Sequence, residues 1–249
     1  MAGAMIEGWR SAGADFRNAV VVRPSGRPVE GLRVVSNYGE AGPAPRLVIL
    51  GCKPQQLDEV VARLTPHLTQ QTVVVSILAG VEVATLRSKF WTAGAIVRAL
   101  PNLPVSVRRG VIALHGESLP GELHDELSQF FAQLGYALWT NDEDGLAAVG
   151  SVAGAGPAYV ARFIDALGKA GVDRGLSEEL AKTIALETAL GTTWMAASTR
   201  ESMDEIVRRV ASPKGTTEAG LAVLGRDDVL DKLISLTISA ASRRAAELA

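Results

Sequence analysis

The densest chemistry in the sequence lies in Ser212-Pro213-Lys214-Gly215-Thr216-Thr217, inside the stretch 208–221. Three hydroxyls, one cation and a permissive glycine share a turn, and the apolar residues after it predict a short helix over 216–224. A helix N-terminus presents N–H groups without intrahelical partners, at the positive end of the peptide dipoles. A small carboxylate suits that end, with the hydroxyls of Ser212, Thr216 and Thr217 available to a second polar atom of the same ligand. The same residues also make an ordinary helix start: Ser-Pro opens a turn, Gly215 or Thr216 caps, and Glu218 occupies the first turn. Both readings stand until the rest of the chain is considered.

The elements that position this turn fall into two regions. Over 1–141, short apolar runs alternate with amphipathic segments, the pattern of a parallel sheet covered by helices. A helix is expected over 2–12 and another over 120–134, with strands over 19–23, 33–36, 47–50, 73–77, 95–99, 111–114 and 136–139. Leu47 to Leu50 and Val73 to Val75 lack polar alternation, as strands buried on both faces do. Over 142–249 only helices are expected: 142–150, 156–171, 177–198, 201–210, 216–224 and 227–247. Val160, Phe163, Ile164 and Leu167 give the second of these a dry face. The run 180–197 is apolar almost all round, with Ala181, Ala185 and Ala189 four apart, which predicts a helix buried in part by another subunit. Glu187 within that run is expected to need an ion-pair partner.

Composition excludes several classes. With 249 residues and 47% hydrophobic content the chain can bury a substantial core. Its 25 basic and 27 acidic residues are interspersed, so no basic stripe marks nucleic-acid or anionic-membrane binding. No apolar run reaches the ~20 residues of a membrane span, and no signal-peptide pattern opens the sequence. Cys52 is the single cysteine, which excludes an internal disulfide, is expected as a small buried hydrophobe and suits a cytoplasmic protein. His67, His115 and His124 are scattered over helical or surface segments and suggest no metal or triad arrangement.

Six short segments, in order, resemble the 1-pyrroline-5-carboxylate reductase family, whose members make proline from its cyclic imine. They are Met1-Ala2-Gly3-Ala4-Met5, Lys53-Pro54-Gln55, Ser76-Ile77-Leu78-Ala79-Gly80, Val97-Arg98-Ala99-Leu100-Pro101-Asn102, Gly154-Ala155-Gly156-Pro157-Ala158-Tyr159, and Ser212 to Thr217. The resemblance implies an α/β Rossmann-like NADP-binding domain over 1–141, then an all-helical substrate and dimerisation domain over 142–249, with dimers assembling into a larger ring. It implies cofactor contacts at Met1, Ala2, Asn37, Lys53, Pro54, Ala79, Gly80 and Asn102, most of them at the carboxyl edge of the sheet where doubly wound folds bind ligands. Asn37 reads equally well as turn chemistry. It places the ring imine against Thr217 as hydrogen-bond donor, and the substrate carboxylate near Gly215 to Thr217 with Ser212 close by. Glu143 matches a position that helps bind substrate, or else is a plain helix-start carboxylate.

Where an NAD enzyme carries an acidic residue after its second strand, this sequence has Arg23-Pro24-Ser25-Gly26-Arg27. Arginines and a serine suit a 2′-phosphate, so NADPH is the expected coenzyme and NADH the alternative; a solvated basic loop is the non-functional reading.

The sequence also departs from the family pattern. Ala153 and Ala155 stand where serines are usual, and Lys214 stands where glycine is usual, which requires its backbone to avoid positive φ. The sequence starts at what resembles the fifth position of Gly-x-Gly-x-x-Gly/Ala, so the family's first strand and two early glycines lie outside it. The expectation is a loosened sheet and weakened cofactor binding unless an upstream segment supplies them. Two other functions fit less of the sequence. One is a non-enzymatic helical assembly subunit; the other is a hydroxyacid-dehydrogenase-like NADP enzyme, for which Lys169 or Lys182 would be the catalytic lysine.

Overall fold

Short β-branched runs set the strands. In the computed structural model, which describes residues 1–248, β1 (Val20–Val22) and β2 (Arg33–Val35) pair in parallel as a two-stranded sheet. A second sheet holds β3 (Leu47–Leu50), β4 (Val73–Ser76), β5 (Ala95–Pro101), β6 (Gly110–His115) and β7 (Gly135–Trp139), in that spatial order. Among the described residues no strand joins the two sheets.

β3, β4 and β5 run parallel, with Leu47 opposite Val73 and Val73 opposite Ala95. The expected parallel sheet is found, with one antiparallel pairing within it, β5 with β6, where Arg98 is opposite His115. The reason is the connection. A short 3-10 segment, Leu103–Val107, links them, and a parallel return needs a crossover of a dozen or more residues. β7 regains a parallel partner in β6 after such a crossover, a helix over Gly121–Ala132.

The two faces of the sheet bury separate clusters. Val73, Val75, Val97, Ile112 and Leu114 join one and Val74 and Ile96 the other, as the two-residue alternation of strand side chains requires. Helix α1 (Ala2–Ser11) inserts Met5 and Trp9 into the first cluster, where Trp9 stacks on Phe130 at 4.5 Å and donates its indole N–H to the Phe130 carbonyl at 3.1 Å. Helices α2 (Leu57–Leu64) and α3 (Val83–Lys89) cover the other face with Leu57, Leu64, Leu86 and Phe90. The Gly121–Ala132 helix, α4, adds Leu127 and Phe131 to the first.

The chain divides into two compact units: residues 1–155 with the segment from Ser242, and residues 156–241. Helix α5 (Glu143–Ala153) belongs to the first and starts with Asp142 accepting the Gly145 N–H at 2.7 Å. The second holds α6 (Gly156–Val172), α7 (Glu178–Thr199), α8 (Met203–Val210), α9 (Thr216–Leu224) and most of α10 (Val229–Leu248). α6 and α7 approach closely because small residues meet: a Cβ on Gly168 would lie 3.5 Å from the Ala181 carbonyl oxygen and 3.7 Å from the Ala185 Cβ. Ser177 and Ser202 cap α7 and α8 by accepting N–H groups from Leu180 and Glu205.

Apart from that alanine seam, the expected all-round burial of 180–197 does not occur within the single chain. Leu180, Ile184, Leu186 and Leu190 are exposed, as are Val160 and Phe163 on the dry face of α6. Glu187 is exposed as well in the single chain, where no burial demands an ion-pair partner.

Candidate active site

Parallel strands put their carboxyl ends at one edge, and the residues following β3, β4 and β5 there are Gly51 to Pro54, Ile77 to Gly80 and Asn102. The start of α1 reaches the same edge: a Cβ on Gly51 would sit 3.1 Å from the Ala2 Cβ. Met1 caps α1 without a side-chain hydrogen bond, so the first-turn N–H groups are not closed off by a capping side chain. Lys53 and Pro54 open a short 3-10 turn in which the Lys53 N–H donates to Gln56 Oε1 at 3.2 Å. Gly80 lies at φ +70°, a conformation that favours glycine, and Ala79 beside it is exposed. The structure therefore gathers Ala2, Lys53, Pro54, Ala79, Gly80 and Asn102 along one edge. Arg23, after β1, donates from its guanidinium to the Arg27 carbonyl at 3.4 Å in a loop that turns at Gly26, with Ser25 and Arg27 exposed.

Several nominated side chains are engaged within the protein. Asn102 is only 7% exposed; its Oδ1 accepts the Val111 N–H at 2.9 Å and its Nδ2 donates to the Ala153 carbonyl at 3.0 Å. Asn37 has the turn chemistry that was its alternative reading: its Oδ1 accepts the Glu40 N–H at 3.1 Å and its Nδ2 donates to Glu40 Oε1 at 2.6 Å. Glu143 gives one carboxylate oxygen to the Val83 N–H at 2.8 Å and pairs the other with Arg98. Arg98 is a residue that sequence reasoning passed over as part of a motif. A charge inside the apolar run Ile96-Val97-Arg98-Ala99 was the signal, since a buried guanidinium requires a partner.

In the second unit, Gly215 is the N-cap of α9, with φ −85° and ψ 171°, and no side chain caps the helix. Glycine suits that position because a Cβ would fall 2.9 Å from the Ser212 carbonyl oxygen, which the turn holds in place. Ser212, Gly215, Thr216 and Thr217 are thus brought into one turn, with Thr217 half-buried. Lys214 contradicts expectation by taking the left-handed conformation, φ +58°, at a cost of about 1–2 kcal/mol. The turn compensates: the Lys214 N–H donates to the Glu218 carboxylate at 2.5 Å and the Gly215 N–H to the Ser212 carbonyl at 3.0 Å.

His115 is corrected from a surface or helical position to a buried one in β6, its Nδ1 at 3.2 Å from the Thr140 carbonyl. His124 stacks on Trp139 at 4.4 Å. Among the described residues no cluster of His, Cys, Asp and Glu is arranged to hold a metal. Cys52 is half-buried against the second core cluster, and burial pushes its thiol pKa up, away from reactivity. Two open pockets of about 320 and 340 Å³ lie away from the nominated residues. No described helix is long and apolar enough to cross a membrane.

Comparison with known proteins bears on both units. A family profile described as pyrroline-5-carboxylate reductase dimerisation matches residues 143–248, and one described as ketopantoate reductase PanE/ApbA matches residues 8–108. The pyrroline-5-carboxylate reductase of Pseudomonas aeruginosa is 34% identical over 259 aligned positions, covering 100% of this chain and 93% of its own length. A pyrroline-5-carboxylate reductase structure from Coxiella burnetii is similar with a TM-score of 0.90 at 28% identity, over 100% of this chain and 94% of that one. The Plasmodium falciparum pyrroline carboxylate reductase, solved with NADP bound, has the same fold, with a TM-score of 0.83 at 24% identity over 97% of this chain and 92% of its own.

The two hydrogen bonds of Asn102 lead to a stability prediction. Asn102→Ala strands the Val111 N–H and the Ala153 carbonyl and is expected to lower unfolding free energy by about 1–3 kcal/mol in urea titration. An unchanged midpoint would show that water replaces both bonds.

Proposed function

The chain belongs to the pyrroline-5-carboxylate reductase family, and on that premise we propose that it is an NADP-dependent oxidoreductase that reduces the C=N bond of 1-pyrroline-5-carboxylate to give proline. The observation that carries this is the alignment with the Pseudomonas aeruginosa enzyme, which spans both units and nearly the whole of that protein. The hydroxyacid-dehydrogenase alternative is weakened at its lysines. Lys169 is paired with Asp165 at 2.8 Å and Lys182 with Glu178, both in i,i+4 pairs on exposed helix faces.

The residues at the sheet edge fit NADPH, whose chemistry when bound is to supply a hydride. Ala2 and the small residues around it leave room for a pyrophosphate against the first-turn N–H groups of α1, where the helix dipole favours an anion. Arg23, Ser25 and Arg27 serve the 2′-phosphate, a group NADH lacks. Ala79 and Gly80 offer backbone to the nicotinamide ribose; Lys53 and Pro54 shape the adjoining wall. Asn37 and Asn102 act by holding their loops, given where their side chains are bonded.

In the second unit, the substrate carboxylate meets the Thr216 and Thr217 N–H groups, which follow the N-cap Gly215 and which no side chain caps. The Ser212 and Thr216 hydroxyls hold the ring's polar atoms. Thr217 donates its hydroxyl to the imine nitrogen, which must gain or keep a proton as electron density leaves the C=N bond. The exposed apolar residues of α6 and α7 lie within the dimerisation match and are covered by a second copy; a ring of such dimers is the larger assembly in this reading. The setting is cytoplasmic, in keeping with a single free cysteine.

The direct test is NADPH oxidation by the purified chain with pyrroline-5-carboxylate; no turnover with this imine would overturn the assignment. Thr217→Ala is expected to lower kcat about tenfold or more with NADPH affinity nearly unchanged, because a donor to the reacting nitrogen acts on the transition state. If only thermal stability falls, Thr217 is a helix-start residue and nothing more. Arg23→Ala with Arg27→Ala should raise KM for NADPH much more than for NADH, and equal losses would remove both arginines from the cofactor site. Sedimentation should show a dimer, and Phe163→Asp with Leu190→Asp should shift it to monomer, since each places a charge on a surface that association desolvates. A dimer that survives both substitutions would move the interface elsewhere.

A further inference from the structure

The loop carrying Ala79 and Gly80 is held at its start by the β4–β5 ladder and at its end by an ion pair rooted in the same ladder. At its start, Ser76 of β4 is in register with Arg98 of β5. At its end, the Val83 N–H, in the first turn of α3, donates to Glu143 Oε1 at 2.8 Å. Glu143 Oε2 closes the ring by pairing with Arg98. The side chains are 11% and 27% exposed, so the pair is largely withdrawn from water and is screened little by salt. Within the loop, the Ser76 hydroxyl oxygen accepts the Leu78 N–H at 3.3 Å and Gly80 turns at φ +70°. Glu82, the N-cap of α3, makes no side-chain cap bond. The anion at the start of α3 therefore comes from Glu143, sixty positions further along the chain.

We propose that Arg98 and Glu143 are positioning residues that staple the loop over 77–82 in the conformation that receives the nicotinamide side of the cofactor, so that Glu143 serves NADPH binding rather than substrate contact. This rests on the functional reading above. Tying the loop's end to a part-buried pair whose arginine sits in the strand beside the loop's start lowers the closure entropy that an unstapled loop would lose on meeting the ligand. Only a carboxylate satisfies the geometry. Its two oxygens accept from two donors, the Val83 N–H and the Arg98 guanidinium, whereas a glutamine must turn its own NH₂ toward one of them.

The experiment uses the full chain. In the ligand-free protein, Glu143→Gln is expected to speed amide hydrogen exchange over 77–83 while the core strands keep their protection. In fluorescence titration it is expected to raise the NADPH dissociation constant about tenfold, with KM for pyrroline-5-carboxylate at saturating NADPH within about twofold of wild type. If the single variant fails to fold, Arg98→Met with Glu143→Gln removes both charges together, leaves no unpaired buried ion and carries the same expectations. Unchanged exchange, or faster exchange with unchanged NADPH affinity, overturns the staple. Unchanged NADPH affinity with a raised KM for the imine returns Glu143 to the substrate. A wild-type chain that takes up no NADPH overturns the functional reading itself, a result separable from the others because it appears before any substitution is made.

Discussion

The candidate edge of the first unit depends on β3, β4 and β5 running parallel with apolar side chains packed on both faces. Parallel strands must deliver their following loops to the same edge, and burial on both faces forces helices between them, which return the chain to the opposite edge each time. The side-chain period of two then divides Val73, Val74 and Val75 between separate clusters, so neither face can slip by one residue without exposing a core set. α1 is held to this frame by Met5 and Trp9, which brings its N-terminus beside Gly51.

The polar groups nominated in the two units fall into two kinds. The N–H groups at the starts of α1 and α9 are not closed by capping side chains, and the exposed Ala79–Gly80 backbone is likewise presented outward. In the first unit Asn102, Asn37, Arg98 and Glu143 are instead bonded within the protein. For Asn102 and Arg98 the division follows from burial, since a polar side chain withdrawn from water must be bonded to the protein; exposed Asn37 is bonded by its local turn instead.

The second unit obeys a different packing rule. Gly168, Ala181 and Ala185 let α6 and α7 approach backbone to backbone, and this uses the small residues of α7 rather than its large ones. Leu186, Leu190 and Phe163 are consequently left outward, more apolar surface than scattered exposed residues account for. These residues lie within the profile match over 143–248, which is described as a dimerisation family.

Strand and helix positions were legible in the sequence because they rest on local pattern: Leu47–Leu50 and Thr216–Leu224 were read with the bounds the structure has. So was the nature of the Ser212 to Thr217 turn, since glycine, proline and hydroxyl residues impose their geometry locally. The family, too, was legible from six ordered segments. What the tertiary structure decided depends on residues distant in the chain. The antiparallel turn at β6 follows from a connection too short for a helix, and the burial of His115 follows from the strand order this creates. The sequence leaves Glu143 open as a helix-start carboxylate or a substrate ligand, because its partners Arg98 and Val83 lie 45 and 60 positions away and no local pattern joins them. Lys214 shows the reverse limit: local propensity argued against positive φ, and the Glu218 carboxylate accepting its N–H, with the Ser212–Gly215 turn around it, overrode that preference.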